Sequence, residues 1–203
     1  MRYLITHSLL SSWLWAIKEN PYEDATTEDD SWDRFLLILN RESTPVTPAM
    51  QDGIDFEQLV TDIMFELADP SHKWFRAAQQ VYQIVRKGSL LQYSTSKVVT
   101  VAGKELLLYG RLDALRAGTI YDIKFSRSYE RGKYYSSTQH PMYFELVPEA
   151  QRFVYVVSNG SEVWTEAYDR EDTPSIIPVI EDFLRWLERH GLLETYEAKW
   201  QAK

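Results

Sequence analysis

Three strand-like stretches, "LLQYSTSKVVTV", "KELLLYGRLDAL" and "TIYDIKFS", follow one another between Leu90 and Ser126, parted only by the breaks "AGK" and "RAGT". Short glycine-containing breaks between apolar runs are hairpin signals. Consecutive hairpins demand a sheet, and a sheet with an apolar face demands something to cover it. The flanking sequence supplies the cover. Helices are expected over residues 8–18, from an N-cap at Ser31 through "WDRFLLILN", from Ile54 through "IDFEQLVTDIMFELA", and over residues 70–87, stopped by Gly88. In the third of these, apolar residues recur at 56, 59, 60, 63, 64 and 67, the stripe of an amphipathic helix. The acidic "ENPYEDATTEDDS" and the proline-broken "RESTPVTPAMQDG" read as loops. Beyond the hairpins come a polar loop "RSYERGKYYSST", a short helix "QHPMYFELV", a last strand pair around "NGS", and a helix "SIIPVIEDFLRWLERHG" capped at Thr173–Pro174, with another after Gly191. Helices, a sheet with one interposed helix, then helices predict an α/β (α+β) fold in a single domain spanning residues 1–203.

Composition narrows the function. No apolar run is long enough to span a bilayer. The N-terminal "MRYLITHSLLSSWLWAIK" imitates a signal peptide, but it lacks a small-residue cleavage site and suits an amphipathic helix better. With no cysteine, disulfides, thiolate zinc sites and cysteine-ligated iron–sulfur clusters are excluded. These features predict a cytoplasmic protein with no membrane partner. The net charge of −8 argues against a general polyanion-binding surface. The charge is uneven, however. Residues 1–103 carry a net −5 and residues 134–203 a net −6, whereas residues 104–133 hold 7 basic and 4 acidic side chains, a net +3. A local basic patch of this kind can focus an anionic ligand.

That positive segment contains an anomaly. "GRLDALRAGTIYDIKFS" places Asp113, Asp122 and Lys124 in strands, where aspartate is depleted. With Ala117–Gly118 as a two-residue turn, opposed residues have numbers summing to 235, so Asp113 faces Asp122. Strand alternation puts Lys124 on the face of Asp122 and leaves Tyr121, Ile123 and Phe125 on an apolar face. Like charges directly opposed are destabilising, and a divalent cation accounts best for the pairing. A neighbouring lysine then suits a phosphate oxygen or the attacking water, and the set describes phosphodiester hydrolysis. Exposed hairpins also carry such residues as solvated charges or a surface ion pair worth under about 1 kcal/mol, and the hairpin alone leaves both readings open. His7, His72, His140 and His190 show no metal-ligand spacing.

The order of these residues resembles the PD-(D/E)XK nuclease superfamily. Asp113, eight intervening residues, then Asp122-Ile123-Lys124 matches its acidic residue and (D/E)-x-K triplet, with Leu112 in place of the proline. "GIDFEQLV" supplies the upstream helical glutamate as Glu57, with Asp55, Asp62 and Glu66 as rival acids nearby. "QHPMY" supplies Gln139 and Tyr143, the Q-x-x-x-Y signature of the RecB-like and phage-exonuclease branch. The resemblance covers residues 53–157 and implies a restriction-endonuclease-like core with a central mixed sheet. It implies Mg²⁺ or Mn²⁺ held by Glu57, Asp113, Asp122 and the Ile123 carbonyl. Lys124 would orient water or stabilise the phosphate, and Gln139 and Tyr143 would position the strand or the lysine. Arg127, Arg131, Lys133, Tyr134 and Tyr135 suit the holding of single-stranded or frayed DNA, phosphates against cations and bases against rings. The implied activity is that of a metal-dependent deoxyribonuclease, an exonuclease serving phage or bacterial recombination, repair or DNA processing, with a recombinase or helicase as possible partner. The rival is a nucleic-acid-binding or interaction module on the same fold that does not cut; the acidic flanks favour it slightly.

Overall fold

The computed structural model describes residues 1–18, 31–85 and 88–202. The chain runs β1 (Arg2–Thr6), α1 (His7–Ala16), α2 (Ser31–Leu39), α3 (Pro48–Met64), α4 (Phe75–Val85), β2 (Leu90–Val101), β3 (Lys104–Arg116), β4 (Thr119–Phe125), α5 (Gln139–Leu146), β5 (Arg152–Ser158), β6 (Val163–Asp169), a 3-10 turn (Arg170–Asp172), α6 (Ile177–Arg189) and α7 (Leu193–Lys199). The six strands form one mixed sheet, the α+β arrangement expected from the sequence. No helix among the described residues is long and apolar enough to cross a membrane.

Two hairpins organise the sheet. Ala102–Gly103 and Ala117–Gly118 both have positive φ at each residue (49° and 76°, 47° and 75°), the pattern of the type I′ turn whose twist matches its strands. β2 runs antiparallel along one edge of β3. The other edge of β3 is divided. β1 pairs with it in parallel from Arg2↔Glu105 to Thr6↔Tyr109, and β4 antiparallel only from Ala114↔Tyr121 to Arg116↔Thr119. Residues 110–113 have neither neighbour. β4 continues parallel to β5, and β5 antiparallel to β6.

Apolar side chains pack on both faces. Against one lie α1, α2, α5, α6 and α7, with Leu9, Trp13, Phe35, Met142, Phe183 and Tyr196 in the core. Against the other lie α3 and α4, through Phe56, Val60, Ala78 and Val81. β5 shows the alternation that makes this possible: Phe153, Tyr155 and Val157 face the first core, Val154 and Val156 the second. β3 breaks it. Leu106, Leu108 and Leu112 face the first core but Ala114 the second. The fault falls at Asp113, whose place opposite Gln92 drops out of the ladder and where Gln92 has a φ of 48°.

Several boundaries differ from expectation. β1 stands where the sequence suggested only the approach to a helix. It joins the sheet through β3, about a hundred residues later, so no local signal announces it. α3 begins at Pro48 rather than Ile54, because the Thr47 side chain accepts the Met50 N–H and Pro48 sits in the first turn, where its missing N–H costs nothing. α4 begins at Phe75 rather than near Pro70. α6 begins at Ile177, its N–H bonded to Ser175 Oγ, in place of the expected Thr173–Pro174 cap. The acidic loop expected at 19–30 and the helix end near Lys87 lie outside the described residues.

Candidate active site

The expected register holds: Ala114↔Tyr121, Leu115↔Ile120 and Arg116↔Thr119 each sum to 235. The ladder stops there, one pair short of the acids. Asp113 and Asp122 are therefore not a bonded cross-strand pair; they stand where β3 and β4 part. Asp113 bridges the opening, its Oδ2 accepting the Ile123 N–H at 2.8 Å. That bond satisfies a backbone donor left without a strand partner.

Asp122 is buried, with 3% of its surface exposed. Lys124 and Asp122 share the first-core face, as alternation requires, and Lys124 Nζ lies 2.8 Å from Asp122 Oδ2. The contact is a close ion pair, and Lys124 Nζ is the one partner of Oδ2 among the described residues. Oδ1 accepts from Gln139 Nε2 at 2.5 Å. Gln139 and Tyr143 lie one turn apart on α5 and both reach the opening. The Tyr143 hydroxyl donates to the Arg111 carbonyl at 3.0 Å, within the stretch of β3 that lacks a strand on this edge. Its ring packs against Gly110, where a Cβ would lie 2.5 Å from Tyr143 Cε1; a strand glycine marks just such a close approach.

Glu57 comes from α3 on the opposite layer. Its Oε1 accepts from Gln92 Nε2 at 2.6 Å, which ties α3 to the fault in the sheet beside Asp113. The rivals point elsewhere. Asp55 bonds Gln51 and Asp62 bonds Gln58, both along the helix, and Glu66 is exposed beyond its end. Burial first, then Asp122 and then Glu57 push the Asp113 carboxyl well above its ordinary range, against the Ile123 N–H and Lys124. Burial alone would lower Lys124; Asp122 outweighs it, and the ammonium holds its proton more tightly than in water.

His7 was not singled out by spacing, yet it stands at this site. It opens α1, lies edge-on to Tyr143 with centroids 6.0 Å apart, and its buried Nδ1 has no hydrogen-bond partner among the described residues. Burial, then the Lys124 charge, lower its pKa to about 3. Thr138 Oγ1 bonds the His7 carbonyl at 3.3 Å and so links the starts of α5 and α1. No pattern in the sequence connects a histidine at position 7 with a hairpin over a hundred residues away.

The basic loop after β4 divides in two. Arg127 is 75% exposed and ion-paired with Asp52 of α3 at 2.6 Å. Lys133 turns back onto Ser126 Oγ and the Ser128 carbonyl, at 2.8 and 2.9 Å. Tyr134 is half-buried and stacked on Tyr155 with centroids 4.3 Å apart, so one ring face is already used. Arg131 is exposed, and Tyr135 is 80% exposed.

Among the described residues no three His, Asp or Glu side chains are gathered into a ready metal shell. Three observations nevertheless fit a small hard cation. The donors are carboxylates and a carbonyl, Asp122 Oδ2 has no partner but Lys124 Nζ among the described residues, and Asp113 is pushed up first by burial and then by its neighbours Asp122 and Glu57. Mg²⁺ needs only one or two protein carboxylates, the rest being water and phosphate. A cavity of about 410 Å³ lined by Met64, Phe65, Tyr82 and Leu91, among others, contains none of these acids.

No protein-family model and no curated protein matches the sequence. Solved structures do. The crystal structure of SSO0001 is similar with a TM-score of 0.55 at 15% identity, covering 92% of this chain and 77% of that one. The crystal structure of Rai1 from Scheffersomyces stipitis is matched at 15% identity and a TM-score of 0.36, covering 93% of this chain and 61% of that one. The likeness to SSO0001 is one of fold, and it extends over nearly the whole of this chain.

Proposed function

We propose that the protein is a metal-dependent nuclease that hydrolyses DNA phosphodiester bonds at the opening between β3 and β4, in the manner of the PD-(D/E)XK superfamily. The observation that carries the reading is the buried Asp122, shared between Lys124 and Gln139 at the point where the hairpin ladder stops beside Asp113. Asp113, Asp122, Glu57 and the Ile123 carbonyl would hold Mg²⁺ or Mn²⁺, which supplies a water of lowered pKa and stabilises charge on the phosphate. Lys124 keeps its proton far above neutral pH, so it serves as a donor and a positive charge, not as a general base. Its place beside Asp122 suits a non-bridging phosphate oxygen. Gln139 fixes the Asp122 carboxylate, and Tyr143 fixes α5 against β3. Arg131 and Tyr135 face solvent, where a strand leaving the site would meet a cation and an aromatic face. An exonuclease serving recombination or repair is the finer form of the proposal.

End-labelled linear, circular and single-stranded DNA, incubated with Mn²⁺ or with chelator, tests it. Chelator-sensitive cleavage that falls at least about a hundredfold in both Asp122→Asn and Lys124→Ala is expected, since each removes charge stabilisation in a dry site. DNA left intact by the wild-type protein, or cut by both variants as fast as by wild type, refutes the proposal.

A further inference from the structure

Asp122, Tyr155 and Glu166 stand in one row across β4, β5 and β6, in register and on the same face of the sheet. Two strand spacings, about 10 Å, separate the two acids. Glu166 is 7% exposed, and no cation pairs with it among the described residues. It accepts four hydrogen bonds instead: from the Tyr129 hydroxyl at 2.7 Å, the Gly132 N–H at 3.1 Å, the Tyr134 N–H at 3.1 Å and the Tyr168 hydroxyl. Three of the four donors belong to the loop between β4 and α5. Each carboxylate oxygen faces a backbone N–H, Gly132 at Oε2 and Tyr134 at Oε1, and a backbone N–H cannot accept, so both oxygens must be acceptors, as in a carboxylate and not in an amide.

The bond to the Tyr134 N–H settles where that ring lies. Tyr134 stacks on Tyr155, the middle of the row, at an interplanar angle of 16°. Burial raises its phenol pKa, and the charges of Lys124, Asp122 and Glu166 all reach it, so the ring spans the row from the anchor to the acid pair. The Tyr134 hydroxyl makes no hydrogen bond to any described residue. The loop thus places an unused donor within electrostatic reach of the Asp122–Lys124 pair, and does so through a buried acid bonded to neither.

We propose that the loop between β4 and α5 is a rigid roof over the cleavage site, in which Glu166 is a positioning residue and the Tyr134 hydroxyl binds an oxygen of a substrate phosphate. The proposal rests on the nuclease reading and extends it by naming a substrate contact and what holds it in place. A fixed donor gives binding that a mobile loop would lose to ordering entropy.

Three variants test it: Tyr134→Phe, Glu166→Gln and the double, each measured for steady-state cleavage of single-stranded DNA with Mn²⁺ and for trypsin cleavage after Arg131 and Lys133. Tyr134→Phe keeps the ring stack, so wild-type thermal stability and trypsin resistance are expected. Its KM should rise about tenfold with kcat little changed, the loss of a hydrogen bond to a charged group. Glu166→Gln sets an amide N–H against a donor; trypsin should cut its loop at least about tenfold faster, with KM raised to match. In the double variant KM should rise little beyond that of Glu166→Gln, because both changes remove one contact. Wild-type KM in Tyr134→Phe overturns the contact, and equal trypsin rates in wild type and Glu166→Gln overturn the anchor. DNA left uncut by the wild-type protein overturns the nuclease reading and the contact with it, while the trypsin rates still decide the anchor.

Discussion

Replacing Gly110 by Ala adds one methyl group at the point where α5 meets the gap in β3. That Cβ would lie 2.5 Å from Tyr143 Cε1, 3.1 Å from Tyr143 Cδ1 and 2.8 Å from Leu146 Cδ1. Normal carbon contacts begin near 3.5 Å, so the tyrosine ring must move by about 1 Å. It has little room, being 5% exposed, beside Phe153 and His7, with its hydroxyl held by the Arg111 carbonyl. Leu146 can rotate away; the ring cannot. Overpacking costs about 1–3 kcal/mol, and straining the hydroxyl bond adds up to about 1 kcal/mol. The stiffer unfolded chain returns about 0.4–1 kcal/mol. The net loss is about 1–3 kcal/mol, a fall in Tm of about 3–9 °C for a chain of this length. Urea unfolding followed by tryptophan fluorescence should show a lower midpoint at an unchanged slope. In a Tyr143→Leu background, which removes the ring edge, the cost of Gly110→Ala should fall by at least about 1 kcal/mol. An unchanged midpoint, or the same cost in both backgrounds, refutes the packing argument.

Two further predictions concern protons. Burial lowers the His140 pKa from 6.5 to about 4, against the opposing charge of Glu166. The unfolded chain then binds the proton more readily, so stability falls as pH drops from about 6.5 to about 4, by about 3 kcal/mol for this residue. Unfolding free energies across that range should be visibly flatter in His140→Phe, and an unaltered profile contradicts the assignment. Asp113, whose pKa is raised first by burial and then by Asp122 and Glu57, must lose its proton before it can bind a cation. Mn²⁺ affinity measured by calorimetry should weaken as pH falls, with proton uptake by the buffer on binding, and a pH-independent affinity in wild type would contradict it.

What was legible in the sequence follows the range of the interactions involved. The β3–β4 turn and register were readable because a two-residue Ala-Gly turn fixes pairing within a few residues. The shared face of Asp122 and Lys124 and that of Gln139 and Tyr143 follow from the periods of strand and helix. β1 was not readable, because "RYLIT" gains its partner only when β3 arrives. The end of the ladder before Asp113 was hidden for a related reason: it depends on β1 and β4 dividing one edge of β3. Glu166 looks like any acid on an outer strand, and three of its four donors come from a loop that the sequence assigned to DNA through Tyr134 and Tyr135. Tyr134 shows the limit of composition, since half of that assignment went to packing on Tyr155.

The division of β3 explains why the acids stand where they do. A strand flanked along its whole length would cover residues 110–113 with a neighbour and leave no opening for a charged group. By ending β1 at Thr6 and delaying β4 until Ala114, the fold leaves an opening that α5 closes from the first-core side and Glu57 approaches from the other. The pair there, a buried Asp122 with a half-buried Lys124, is a poor way to gain stability. Two apolar side chains of similar size are often neutral or better in place of an ion pair, whereas removing one partner leaves an uncompensated charge. Asp122 is further burdened by Asp113, another acid beside it. Stability therefore does not account for three charged groups at the place where the sheet opens, whereas the cation and anionic substrate of the proposed nuclease would.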